Sequence, residues 1–229
     1  SMSIDFATHF HAVATRIRAA EQRFQRPPES VRLLAVSKTQ PAAAIVAIAA
    51  QGQRRFGENY LQEALTKIAE LADLGLEWHF IGPIQANKTR SIAEHFAWVH
   101  SVDRLKIAER LNEQRPEALP PLNVCLQVNI DREATKHGLE IDEVAAVAQA
   151  VAALPRLRLR GLMAIPAPAA DFATQRQPFA QLRALQEQLN ATGLALDTLS
   201  MGMSDDLEAA IAEGATLVRV GTALFGPRA

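Results

Sequence analysis

In RLLAVSKTQP, residues 32–41, a short apolar run meets a lysine, and the following 41–51 segment is helical in pattern. Leu33, Leu34, Ala35 and Val36 have the length and apolarity of a buried strand, and Ser37-Lys38-Thr39 arrives as that strand ends. The same unit recurs along the chain. Strand-like runs fall near 33–37, 54–57, 77–81, 97–101, 122–129, 157–164, 196–201 and 216–220. Helical patterns lie between them, near 41–51, 59–74, 87–95, 103–114, 140–153, 172–192 and 204–213. Ahead of the first strand, Phe6, Phe10, Val13, Ile17, Ala20 and Phe24 recur at intervals of three and four, an amphipathic helix stopped by Pro27-Pro28.

Regular alternation of strand and helix implies parallel strands joined by right-handed crossovers. Eight strands predict a closed (β/α)8 TIM barrel, an α/β fold, as a single domain over 1–229 with an extra N-terminal helix. Only nine residues follow the last strand, too few for a closing helix, so the N-terminal helix is expected to cover that gap. A doubly wound open sheet is the alternative. It needs long, wholly apolar central strands, whereas these are short and often polar at one end.

Composition narrows the function. The 229 residues carry 24 Lys plus Arg against 25 Asp plus Glu, and 48% are hydrophobic. No bulk field invites nucleic acid, and no apolar run reaches the roughly 18 residues of a membrane span. The N-terminal stretch lacks a signal peptide's basic start and continuous apolar centre. The one cysteine, Cys125, reads as a small buried residue of a core strand. A cytoplasmic location is expected.

In such barrels the functional face lies where strands run into their following helices, and the loops after strands seven and eight form the usual phosphate site. Here those loops bring Ser200, Ser204 and Thr222 hydroxyls with Gly202 and Gly221, whose backbone can approach an anion closely. Gly and Ser also serve simply as turn formers. Asp205 and Asp206 would repel a phosphate if they faced it, which places the anion nearer Gly221, Thr222 and Ser200. Arg219 stands among Leu217, Val218 and Val220 and needs a partner if it points inward; on the outer face it would be an ordinary surface arginine. Strand one neighbours strand eight in a closed barrel, so Lys38 would share this corner. Lysine, phosphate cradle and arginine together suit a phosphorylated aldehyde held as a Schiff base.

The motifs LLAVSKTQP, RRFGENYLQEALTK, WHFIGPIQANKTR, VHSVDR, LQVNIDREATKHG, RGLMAIP, LSMGMSDDLEAAI and TLVRVGTALFG occur in this order over nearly the whole chain. In this the sequence resembles the pyridoxal phosphate homeostasis protein family, relatives of the N-terminal barrel domain of alanine racemase. The resemblance implies a monomeric or weakly associating barrel that binds pyridoxal 5′-phosphate (PLP), with apo PLP-dependent enzymes as recipients. It implies Lys38 as the Schiff-base lysine, Ser200, Gly221 and Thr222 at the phosphate, Arg219 at the pyridine nitrogen and Asn59 on the pocket wall. Lys136 matches a lysine implicated in PLP handling outside that pocket.

The resemblance also bears on catalysis. An arginine at the ring nitrogen weakens the electron sink that PLP enzymes exploit. Racemases of this type take a catalytic tyrosine from a second domain, while the one tyrosine here, Tyr60, opens the helix after strand two. A carrier is therefore expected rather than an enzyme. A weak racemase-like or lyase activity would need a base such as His79 or a second lysine over the Schiff base, and a Schiff-base aldolase acting on sugar phosphates is the remaining reading. Glu58 is either a capping or a pocket residue. The six histidines show no metal-site spacing.

Overall fold

The computed structural model describes residues 5–131 and 137–227. Its eight strands are β1 (Arg32–Val36), β2 (Arg55–Glu58), β3 (Glu77–Phe80), β4 (Trp98–Val102), β5 (Leu122–Gln127), β6 (Leu157–Met163), β7 (Thr198–Ser200) and β8 (Leu217–Val220). All pair in parallel and in sequence order, and β1 closes onto β8. The expected (β/α)8 barrel is thus present, and the open sheet is excluded.

Side chains alternate along each strand, as period two requires. Ala35, Phe56, Phe80, Val99, Val124, Leu162, Leu199 and Val218 join the large core between barrel and helices. Their neighbours point the other way, where two small clusters, Leu34 with Ile81 and Leu217, and Trp98 with Cys125 and Met163, fill the barrel. Burial pushes the Cys125 thiol up to about 12, so it stays protonated and inert.

The helices between strands are α2 (Ala42–Ala49), α3 (Leu61–Glu70), α4 (Thr89–His95), α5 (Leu105–Gln114), α6 (Val144–Ala152), α7 (Phe172–Ala191) and α8 (Leu207–Ala212). The single helix expected over 59–74 is shorter: α3 ends at Glu70 and a 3-10 turn, Ala72–Leu74, leads to Gly75 at φ 62°. Ahead of the barrel, α1 (Phe6–Arg23) starts at Asp5, whose carboxylate accepts the Thr8 N–H at 3.0 Å. Among the described residues, the four-residue α9 (Thr222–Phe225) follows β8.

The N-terminal helix covers the barrel wall between α8 and α2, where it was expected. It packs against α2, α8 and α9. Arg16 forks onto Glu208 of α8 with contacts of 2.9 and 2.8 Å, and Phe6 meets Phe225 edge-on at 6.2 Å. A bidentate arginine fixes direction as well as distance, which suits a helix docked far from its neighbours in sequence. No helix among the described residues is long and apolar enough to cross a membrane.

Candidate functional site

Closure of β1 on β8 pairs Leu34 with Arg219 and Ala35 with Val220. That register carries the next residues of both chains to the same corner of the C-terminal mouth. A cleft of about 240 Å³ opens there, and Lys38, Asn59, Arg219, Gly221 and Thr222 all line it. Apolar wall comes from Val36, Ile81, Ile165 and Met203, and further polar wall from Gln40, Ser204 and Asp205. A Cβ on Gly221 would lie 3.3 Å from the Val36 carbonyl oxygen, so a side chain there would crowd β1.

Lys38 is held from both sides. Lys67, buried on α3, donates to the Ser37 carbonyl at 2.7 Å and to Glu58 at 2.9 Å, and pairs with Glu63 at 2.7 Å. The Ser37 hydroxyl donates to Glu58, and Glu63 accepts the Thr39 N–H at 2.5 Å. Thr39 sits at φ 64°, a left-handed conformation that β-branched residues rarely adopt and that persists only where surroundings enforce it. Residues 37 and 39 are therefore clamped by one ionic cluster centred on buried Lys67, with Lys38 between them. Burial raises the Glu58 carboxyl above its ordinary range, against the pull of Ser37 and Lys67. Glu58, whose role two readings shared, is a buried partner of Lys67 and Ser37.

Arg219 is buried yet reaches the cleft. Its Nη2 donates to the Ala164 carbonyl at 3.0 Å and its Nη1 to Ser200 Oγ at 2.8 Å. Burial lowers its guanidinium to about 10, still high enough to keep it charged at neutral pH. Ser200 lies fully buried beneath the wall, bonded to Arg219 and to His100 Nδ1 at 2.7 Å. The hydroxyl that reaches the cleft from this loop is that of Ser204, which also meets the Ala223 N–H at 3.4 Å.

Asn59 Oδ1 is buried with no hydrogen-bond partner among the described residues, an orphaned acceptor at the cleft. Gly82 sets its position: a Cβ there would fall 2.3 Å from the Asn59 carbonyl oxygen. Asp205 is on the wall, so its side of the cleft is the one that would repel an anion. Asp206 turns back and accepts the Met203 N–H at 2.7 Å, and burial raises its carboxyl. Tyr60 is 52% exposed and does not line the cleft. Lys136 lies outside the described residues.

The alanine racemase N-terminal domain model matches residues 9–229. The pyridoxal phosphate homeostasis protein of Pseudomonas aeruginosa is 67% identical over 222 residues, covering 97% of this chain and 95% of its own length. The chain belongs to the pyridoxal phosphate homeostasis protein family. The Escherichia coli member is 54% identical over 227 residues, covering 98% of this chain and 97% of that protein. A solved structure of PipY from Synechococcus elongatus, with PLP bound, aligns at TM-score 0.81 and 45% identity over 91% of this chain and 98% of its own. Alanine racemase from Corynebacterium glutamicum, at 19% identity and TM-score 0.68, shares the fold, and this chain spans 61% of it.

Proposed function

We propose that this protein binds PLP in the mouth cleft, holds it as a Schiff base on Lys38, and stores, buffers and delivers it to apo PLP-dependent enzymes inside the cell as a single-domain monomer. One observation carries the reading: a strand-end lysine, a hydroxyl-lined Gly221-Thr222 turn and a buried arginine converge on a single cleft. The bound group supplies an aldehyde, a phosphate and an aromatic ring nitrogen. Lys38 provides the amine for the aldehyde. Thr222, Ser204 and the Gly221 backbone receive the phosphate. Arg219 presents N–H to the ring nitrogen and, as a permanent donor, holds that atom as an acceptor. Asn59, through its unpartnered Oδ1, would meet a polar group of the ring, and Val36, Ile81 and Ile165 would give it apolar wall. Two further facts support the reading: relatives at 67% and 54% identity are named for PLP homeostasis, and PipY is solved with PLP bound.

Anchoring and covalent attachment separate experimentally. Thr222→Ala and Ser204→Ala are each expected to weaken PLP by about 1–3 kcal/mol, the cost of losing a hydrogen bond to a charged group. Pyridoxal, without the phosphate, should bind the variants as it binds the wild type. Equal losses for both ligands in a titration would move the phosphate elsewhere.

Storage rather than turnover fits the wall chemistry. Neither histidine nor tyrosine lines the cleft among the described residues, and His79 and His100 are committed to partners inside the barrel. Wild-type holoprotein should therefore exchange the α-proton of L-alanine in deuterated buffer no faster than free PLP, read by proton NMR. Arg219→Glu, which favours ring protonation, should raise exchange only slightly without a placed base. Wild-type exchange hundreds of times above free PLP and lost without Lys38 would establish the racemase-like reading instead.

A further inference from the structure

A chain of hydrogen bonds runs through the barrel from the cleft toward the opposite mouth. Arg219 Nη1 meets Ser200 Oγ at 2.8 Å, Ser200 meets His100 Nδ1 at 2.7 Å, His100 Nε2 meets His79 Nδ1 at 2.8 Å, and His79 Nε2 meets Glu77 Oε1 at 2.8 Å. Ser200, His100 and His79 are fully buried, and Trp98 stacks on His79 at 5.3 Å. Glu77 opens β3 at the far end, where Arg55 lies 3.4 Å away and Arg32 adds positive charge. Barrel interiors of this kind are ordinarily filled by branched apolar side chains, so four polar residues in contact there ask for a reason.

We propose that Glu77, His79, His100 and Ser200 are positioning residues for Arg219, forming a one-directional chain whose polarity is set by the unlike charges at its two ends. Arginine can only donate and an ionised carboxylate can only accept. Every group between must then donate on its Glu77 side and accept on its Arg219 side. Ser200 gives its proton to His100 Nδ1, and His100 and His79 each carry one proton, on Nε2. Both rings are neutral: burial is the leading cause that lowers His79 and that lowers His100 well below the ordinary range. The hydrogen bond from His79 is the leading cause that keeps the Glu77 carboxyl low and therefore ionised. In the reverse polarity Ser200 would accept from both His100 and Arg219, and its own proton, buried, would lose the acceptor that His100 Nδ1 provides. That cost falls on the residue that seats Arg219. Its aim into the cleft thus depends on a charge at the other end of the barrel.

The consequence for PLP rests on the role proposed above for Arg219, whereas the chain itself can be read without cofactor. Glu77→Gln keeps the shape and a hydrogen bond to His79 but puts an amide, donor and acceptor both, where only an acceptor stood. Imidazole 15N NMR of the cofactor-free wild type should show His79 and His100 each protonated on Nε2 and bare on Nδ1. In Glu77→Gln the His100 nitrogens, separated from the substitution by a whole ring, should show a second tautomer. PLP affinity should fall by at least about fivefold, the low end of couplings between distant sites. Ser200→Ala, a loss of one oxygen atom, serves if Glu77→Gln does not fold. It should shift His100 Nδ1, spare the His79 protonation state and weaken PLP although Ser200 does not line the cleft. A wild-type His100 protonated on Nδ1, or nitrogen signals indifferent to both substitutions, overturns the chain. Tautomers as described with no PLP binding in the wild type would instead reject the cofactor reading and leave the chain standing.

Discussion

Replacing Lys38 by alanine is expected to abolish the violet absorbance of PLP-loaded protein and to leave no borohydride-fixed adduct in the cleft. PLP affinity should fall on the order of 100-fold, about 3 kcal/mol, because only the phosphate and ring contacts remain. The fold should be nearly indifferent. Lys38 lies at the mouth, part-exposed, and surface changes away from caps and cores stay within about 0.5 kcal/mol. A thermal midpoint close to wild type together with lost absorbance separates chemistry from stability. Unchanged absorbance in Lys38→Ala would place the aldehyde on another amine.

Lys67→Met is expected to cost about 3–5 kcal/mol of stability by denaturant titration, the range for removing one partner of a buried ion pair. Glu58 is fully buried and would keep only Ser37 as partner. Its carboxyl is already raised by burial, and losing Lys67 raises it further. A carboxyl whose folded pKa exceeds its unfolded value binds more protons when folded, so stability falls as pH rises between the two. The deficit of Lys67→Met against wild type should therefore shrink from about pH 8 to about pH 5. A deficit independent of pH would mean that lost packing, not an unpaired carboxylate, is responsible. PLP binding should weaken as well, since the Ser37 carbonyl loses its donor and Glu63 loses the cation beside its hold on Thr39.

These two lysines show what a linear sequence exposes and what it hides. Lys38 is legible because an apolar run ends on it, and strand ends of a βα barrel face the functional mouth. Arg219 is legible because Val218 and Val220 flank it on a strand too apolar for a stray charge. The N-terminal helix is legible from its own apolar face, because Phe6, Phe10, Val13, Ile17, Ala20 and Phe24 recur at intervals of three and four. Lys67 is hidden. Four residues after Glu63 on an amphipathic helix, it has the spacing of an ordinary exposed ion pair, yet in the fold it is buried on Ser37, just past β1, and Glu58 of β2.

The axial chain is hidden for a related reason. His79, His100 and Ser200 stand on three different strands, 21 and 100 residues apart, and only barrel closure brings them together. Histidine spacings tested for metal sites along one helix carry no trace of it. Ser200 was expected on the phosphate wall with Gly221 and Thr222. As the last residue of β7 it points into the barrel beneath the mouth, while Ser204 in the following loop reaches the cleft. Period two along β7 turns Ser200 inward, and the turn that follows carries Ser204 to the wall.

The central claim is that one lysine at the end of β1 holds the cofactor. Borohydride reduction of wild-type protein saturated with PLP, followed by proteolysis and mass mapping, tests it most directly. The predicted result is a pyridoxyl group on the peptide containing Lys38 as the main adduct. A main adduct on Lys67, Lys88, Lys106 or Lys136 would contradict it.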